Sequence, residues 1–100
     1  MKTFAWDAQK NDWLIKVRNI SFERIVHVIE HEGLLDVVSH HNRSRYPEQQ
    51  IFVVQVDQYA YLVPFVETER HYFLKTIIPS RKATRQYLES RNEPAPKPDQ

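Results

Sequence analysis

The sequence contains no cysteine, a single glycine and no long apolar run, and its formal charge of +1 leaves almost no net field. Without cysteine there are no disulfides, no thiolate nucleophile and no zinc ribbon, a composition that suits a reducing compartment. No Gly-rich phosphate loop, G-x-S-x-G elbow or paired-carboxylate E-x-x-E motif is present. No apolar stretch approaches the roughly 20 residues that span a bilayer, and the opening Met1-Lys2-Thr3-Phe4-Ala5-Trp6-Asp7 lacks the apolar segment of a signal peptide. The expectation is a soluble, cytoplasmic protein without contact to membranes. At 100 residues the chain has material for one small core and none to spare for a large cofactor, which argues against a Rossmann half, a barrel or a P-loop enzyme.

What is present is uneven. Residues 1–67 hold seven Lys/Arg against nine Asp/Glu, whereas residues 68–91 hold six (Arg70, Lys75, Arg81, Lys82, Arg85, Arg91) against two (Glu69, Glu89). Positive charge is thus concentrated near the C-terminus, and local concentration is what attracts an anion.

Periodicity divides the chain into elements. Asp7 is placed to cap a helix over Ala8 to Arg18, with Trp13, Leu14 and Val17 at helical spacing. Ser21 is placed to cap a second helix whose stripe is Phe22, Ile25, Val26 and Ile29, and Gly33 is expected to end it in a left-handed conformation. Strands are then expected at Leu34 to Val38, Gln50 to Val56, Tyr59 to Val66 and His71 to Ile78, with a tight turn at Asp57-Gln58. Pro64 cannot donate a ladder hydrogen bond, so an edge or a bulge is expected there. Ser80 is placed to cap a last helix from Arg81 to about Arg91. The predicted class is α+β: two N-terminal helices, a four-stranded antiparallel meander and one C-terminal helix, in the order α-α-β-β-β-β-α with the helices on one face. Residues 1–91 would form the domain, and the Pro-rich tail 92–100 is expected to be disordered.

Two histidine motifs invite a metal reading. His27-Val28-Ile29-Glu30-His31 fits the H-x-x-E-H pattern of inverted zincins, but Val28 and Ile29 read as core and a small domain lacks the cleft and the third ligand such enzymes need. His40-His41 is adjacent in a loop, a poor spacing for chelation. No metal and no cofactor is expected. The segment Lys75-Thr76-Ile77-Ile78-Pro79-Ser80-Arg81-Lys82-Ala83-Thr84-Arg85 is more informative. Arg81 and Arg85 share a helix face, Ser80 and the helix N-terminus lie beside them, and Lys75 precedes them, a set of groups suited to a phosphate. The competing reading is a solvated helix whose arginines pair with Glu67, Glu69 or Glu89.

Phe4-Ala5-Trp6-Asp7-Ala8-Gln9-Lys10, Ile20-Ser21-Phe22-Glu23, Thr68-Glu69-Arg70 and Ile77-Ile78-Pro79-Ser80-Arg81-Lys82-Ala83-Thr84-Arg85 together resemble the BrnT family of toxins. Departures from the family pattern are Asn19 in place of the glycine-containing turn, Arg24 for a second Glu, Thr76 for an arginine and Pro79-Ser80 for Ser-Ala. The resemblance implies a RelE-like ribonuclease fold in the toxin of a bacterial type II toxin-antitoxin pair. It also implies a BrnA-like ribbon-helix-helix antitoxin as partner, contact with operator DNA only through that antitoxin, and RNA as the target without a metal.

Cleavage of RNA by attack of its 2′-OH requires a base for that hydroxyl, cations for the phosphorane and an acid for the 5′ oxygen. Arg81 and Arg85 are the candidate clamp, with Lys75 and Glu69 as further catalytic candidates. Arg70, Lys82, Ser80 and Tyr87 are candidate RNA contacts. Glu67, Glu69 and His71 stand as unranked candidates for the base.

Overall fold

The computed structural model describes residues 2–39, 44–45 and 49–89. His40-His41, Arg91 and the tail 92–100 lie outside them. The elements run β1 (Thr3–Trp6), α1 (Ala8–Arg18), α2 (Phe22–Glu30), β2 (Leu34–Ser39), β3 (Gln49–Val56), β4 (Tyr59–Glu67), β5 (His71–Leu74), β6 (Ile78–Pro79) and α3 (Arg81–Ala83), which passes into a π-helical segment at Thr84–Glu89.

The chain is α+β, and the sheet is larger and more mixed than a four-stranded meander. Its order is β1-β5-β4-β3-β2, with β6 also on β4. Phe4-Ala5-Trp6, too short for a periodic signal, forms a strand that pairs in parallel with β5, Thr3 opposite His71 and Trp6 opposite Leu74. The single strand expected at His71 to Ile78 is split into β5 and β6. Three residues of β4, from Phe65 to Leu62, are spanned by four on the neighbour, from Leu74 to Ile78. The extra residue is accommodated beside Pro64, whose carbonyl accepts from the Lys75 amide at 2.8 Å. This is the bulge that a proline in β4 predicts.

The helix starts are set locally as their caps predict. Asp7 accepts from the Gln9 amide and Ser21 from the Arg24 amide. Asn19 ends α1 in the left-handed region at φ 56°, a conformation asparagine tolerates better than most residues. At the end of α2 the left-handed residue is Glu32 (φ 72°), not Gly33. Glycine is needed at 33 for a different reason. A Cβ there would stand 2.1 Å from Val28 Cγ1 and 2.8 Å from the Val28 carbonyl, because the Gly33 amide bonds that carbonyl and its own oxygen accepts from Gln55 in β3.

The two faces of the sheet are packed unequally. On the first, α1 and α2 lay Leu14, Ile20, Phe22 and Ile25 against Phe52, Val54, Val63, Phe65 and Leu74. On the second, among the described residues, Ala83, Tyr87 and Leu88 pack with Val53, Ala60, Leu35, Val38 and Leu62. The helices therefore do not share one face. Parity sorts the strands: alternate residues of β3 and β4 belong to opposite clusters. The expected apolar stripe of α1 also divides, since Leu14 is buried while Trp13 and Val17 are 42% and 58% exposed. Asn11 takes the other inward position. Its carbonyl accepts from the Phe22 amide and its amide group donates to Glu23 Oε1, both at 2.8 Å, which joins α1 to the start of α2.

Candidate functional site

The C-terminal helix is attached to the sheet by hydroxyls. Ser80 Oγ accepts from the Ala83 amide, and the Ser80 amide donates to the Ala60 carbonyl on β4. The buried Thr84 hydroxyl donates to the Ser80 carbonyl at 2.8 Å and accepts from the Ala60 amide at 2.9 Å. A threonine bonding back to residue i−4 loosens an α-helix. Here that bond coincides with the change to π geometry, a feature often found at functional sites. Ser80 thus caps the helix as its type predicts, and its oxygen is occupied by Ala83 rather than held open.

Beside this attachment is a groove of about 340 Å³ whose walls include Ser80, Lys82, Gln86 and Tyr87 from the C-terminal segment and Val38, Ile51, Val53 and Leu62 from the sheet. The Tyr87 hydroxyl donates to Asp36 Oδ2 at 2.6 Å, while Asp36 Oδ1 accepts from the Val37 amide at 2.8 Å. The hydrogen bond to Asp36 is the main reason the Tyr87 phenol is raised above its ordinary 10.0, with desolvation adding to it. Tyr87 is consequently a neutral phenol at physiological pH, able to hydrogen-bond or stack, and Asp36 is the carboxylate that holds it.

Arg81 and Lys82 are exposed at the head of α3 and, among the described residues, their side chains make no hydrogen bond or ion pair. Of the acids expected as their partners, Glu67 is paired with Lys2, Glu69 sits at the far end of β4, and Glu89 is exposed at the end of the π segment. Arg85 is exposed on the π segment. Lys75, in the bulge, carries its ammonium 5.5 Å from the Phe73 ring centroid.

Glu69 and Arg70 are not brought to this groove. Thr68 builds the β4–β5 turn, its hydroxyl accepting from the His71 amide and donating to the His71 carbonyl. That turn and the Ala60–Ser80 junction occupy opposite ends of β4, about seven residues or roughly 23 Å apart. The candidate bases Glu67, Glu69 and His71 are all at the turn end. There, Lys2, Thr3, Glu69, Arg70 and His71 line a separate hollow of about 600 Å³. Sequence-based selection of site residues therefore joins two places that the sheet separates. It also omits Asp36, whose signal was available: a lone acid within the apolar strand Leu34-Leu35-Asp36-Val37-Val38.

The histidine motif does not assemble a metal centre. His27 and His31 stack at 4.1 Å, with His31 Nδ1 2.7 Å from the His27 carbonyl, and among the described residues no three His, Cys, Asp or Glu side chains are grouped to hold a metal ion. Nor is any described helix long and apolar enough to cross a membrane. Set against known proteins, the chain matches no family model, no curated protein and no solved structure.

Proposed function

We propose that this protein is a toxin that cleaves RNA, with the groove beneath the C-terminal helix as its working site and a ribbon-helix-helix antitoxin as its partner. The observation that carries the reading is the adjacent pair Arg81 and Lys82, exposed and unpaired among the described residues, of which Lys82 lines a groove together with Tyr87. Cations at a helix start oppose its dipole by a few tenths of a kcal/mol each, so their retention there without acidic partners fits a bound anion better than a structural role. The resemblance of Ile77-Ile78-Pro79-Ser80-Arg81-Lys82-Ala83-Thr84-Arg85 to the closing motif of BrnT toxins supports the same assignment.

In this reading Arg81 and Arg85 neutralise the phosphorane formed when the 2′-OH attacks the adjacent phosphate, and Lys82 and Ser80 line the approach. The O2′–P bond forms as the P–O5′ bond breaks, solvent takes the 2′-OH proton and solvent returns one to the departing oxygen, so the products are a 2′,3′-cyclic phosphate and a free 5′-hydroxyl. Removal of one well-placed donor to such a transition state costs about 2 to 4 kcal/mol. Tyr87, a neutral phenol fixed by Asp36, positions or stacks on the nucleotide and does not serve as a phenolate base.

The test is RNA cleavage by the purified protein in chelating buffer. Wild type is expected to produce cyclic-phosphate ends, and Arg81→Ala combined with Arg85→Ala to reduce the rate at least about 100-fold while keeping the wild-type melting temperature. Full activity in the double variant would remove the assignment.

A second reading is favoured by one observation. Ser80 is engaged as a helix cap, and α1 exposes Trp13 and Val17 with Lys10 lying 4.3 Å from the Trp13 ring. A chain retained for antitoxin binding, without cleavage, would need only such a surface. Expression without antitoxin separates the two: growth arrest supports the nuclease and unimpeded growth supports the binding module.

A further inference from the structure

Among the described residues the C-terminal helix packs on one end of the sheet's second face, and beyond it Val66, Phe73 and Ala5 are half-buried while Thr3, His71 and Ile78 are exposed. Strand register places Thr3 beside His71 and Ala5 beside Phe73, with Val66 on the other side of Phe73. Further along the same face Ile78 stands beside Leu62, which lines the groove under Ser80 and Lys82. Side chains two apart on a strand share a face, so His71 and Phe73 look the same way, opposite to the buried Leu74. Phe73 is half-buried beside the small Ala5, and Lys75 is held over its ring. At the turn end, Thr3 Oγ1 lies 3.0 Å from His71 Nδ1, which leaves the other imidazole nitrogen for a ligand. The neighbouring Arg70 side chain makes no hydrogen bond or ion pair among the described residues.

We infer that this half-exposed face is a track for one strand of RNA, running from the Ser80–Lys82 groove over Phe73 to a hollow in which Thr3, Arg70 and His71 take a phosphate, with Lys2 and Glu69 on the same wall. The inference rests on the RNA reading above and adds to it the form of the substrate: an unpaired strand of several nucleotides. The two cationic ends are separated by roughly 23 Å along β4, a span of about seven stacked nucleotides at 3.4 Å each. Between them the described residues offer an aromatic ring with a lysine over it and no second row of cations, which suits a stacked single strand better than a duplex.

The experiment measures affinity for 2′-O-methyl oligouridylates of 3 and 10 nucleotides, which cannot be cleaved, by fluorescence anisotropy at low salt. The 10-mer is expected to bind at least about tenfold more tightly than the 3-mer. Arg70→Ala is expected to remove most of that gain without altering 3-mer affinity, and Phe73→Leu to weaken the 10-mer about fivefold or more. Thermal melts of both variants verify that they fold, and Arg70→Glu supplies a second, stronger perturbation at an exposed position. Equal affinity for the two lengths, or a length effect that survives Arg70→Glu, would overturn the track and leave the groove assignment standing. Absence of binding to either oligomer would overturn the RNA reading together with the track.

Discussion

The two faces of the sheet are built from the same strands but do different work. The face under α1 and α2 buries large side chains edge to edge: Phe52 stacks on Phe65 at 3.8 Å, Trp6 on Phe22 at 5.7 Å, and Phe4, Phe52, Phe65 and Tyr72 form a continuous aromatic cluster. The face under the C-terminal helix buries Val53, Ala60 and Ala83, with Ile51 the one larger aliphatic buried beside them among the described residues, and is held by hydroxyl and carboxylate hydrogen bonds from Ser80, Thr84 and Asp36. Small residues and directional bonds leave a groove where large residues would have filled the space. The first face holds the larger buried core, and under the proposed function the second would carry the chemistry.

The largest expected effect is on the second face. Arg81→Ala with Arg85→Ala should lower RNA cleavage at least about 100-fold with little change in chemical denaturation, since both side chains are exposed. Next comes Phe22→Ala, which empties a fully buried site against Trp6 and should cost about 3 to 5 kcal/mol in urea denaturation. Asn11→Ala should cost about 1 to 3 kcal/mol by leaving the buried Phe22 amide without an acceptor, read in the same titration. Ser80→Ala should cost about 1 kcal/mol through loss of the cap, with faster amide exchange at Ala83 as its local signature.

The smallest effect is a pH dependence. Because Asp36 raises the Tyr87 phenol above 10.0, protonated Tyr87 is favoured by folding. Its contribution is fully present below pH 10 and is lost as the pH rises through the folded-state value. Stability at pH 11 relative to pH 9 should therefore fall more in wild type than in Tyr87→Phe, measured as the difference in urea midpoints. A fall of equal size in both would mean the Tyr87–Asp36 bond is not formed in solution.

Legibility from sequence follows the same division. Caps and amphipathic stripes are local, so Asp7, Ser21 and Ser80 set helix starts that the structure repeats, and the Phe22/Ile25 stripe goes inward. The Asp57-Gln58 turn falls between β3 and β4, with Asp57 left-handed at φ 58°. Pro64 announced the bulge but not that it would split a strand in two. Long-range pairing was not legible: nothing in Thr3–Trp6 indicates a parallel partner some seventy residues later. Nor was the separation of Arg70 from Arg81, because motif spacing counts residues whereas an extended strand carries its two ends far apart. Gly33 shows how a correct choice of residue can have an unexpected cause, close approach to Val28 in place of a left-handed backbone.

The measurement that tests the division most directly is amide shift mapping by NMR with a 2′-O-methyl 10-mer titrated into labelled protein. Both sides of the molecule carry cations and an aromatic ring, Lys10, Arg18 and Trp13 on α1 and Lys75, Arg81 and Phe73 on the other side, so composition alone does not choose between them. Shifts are expected to concentrate from His71 to Tyr87, with α1 unaffected. Shifts centred on Lys10, Trp13 and Arg18, with Arg81 to Tyr87 unmoved, would contradict it.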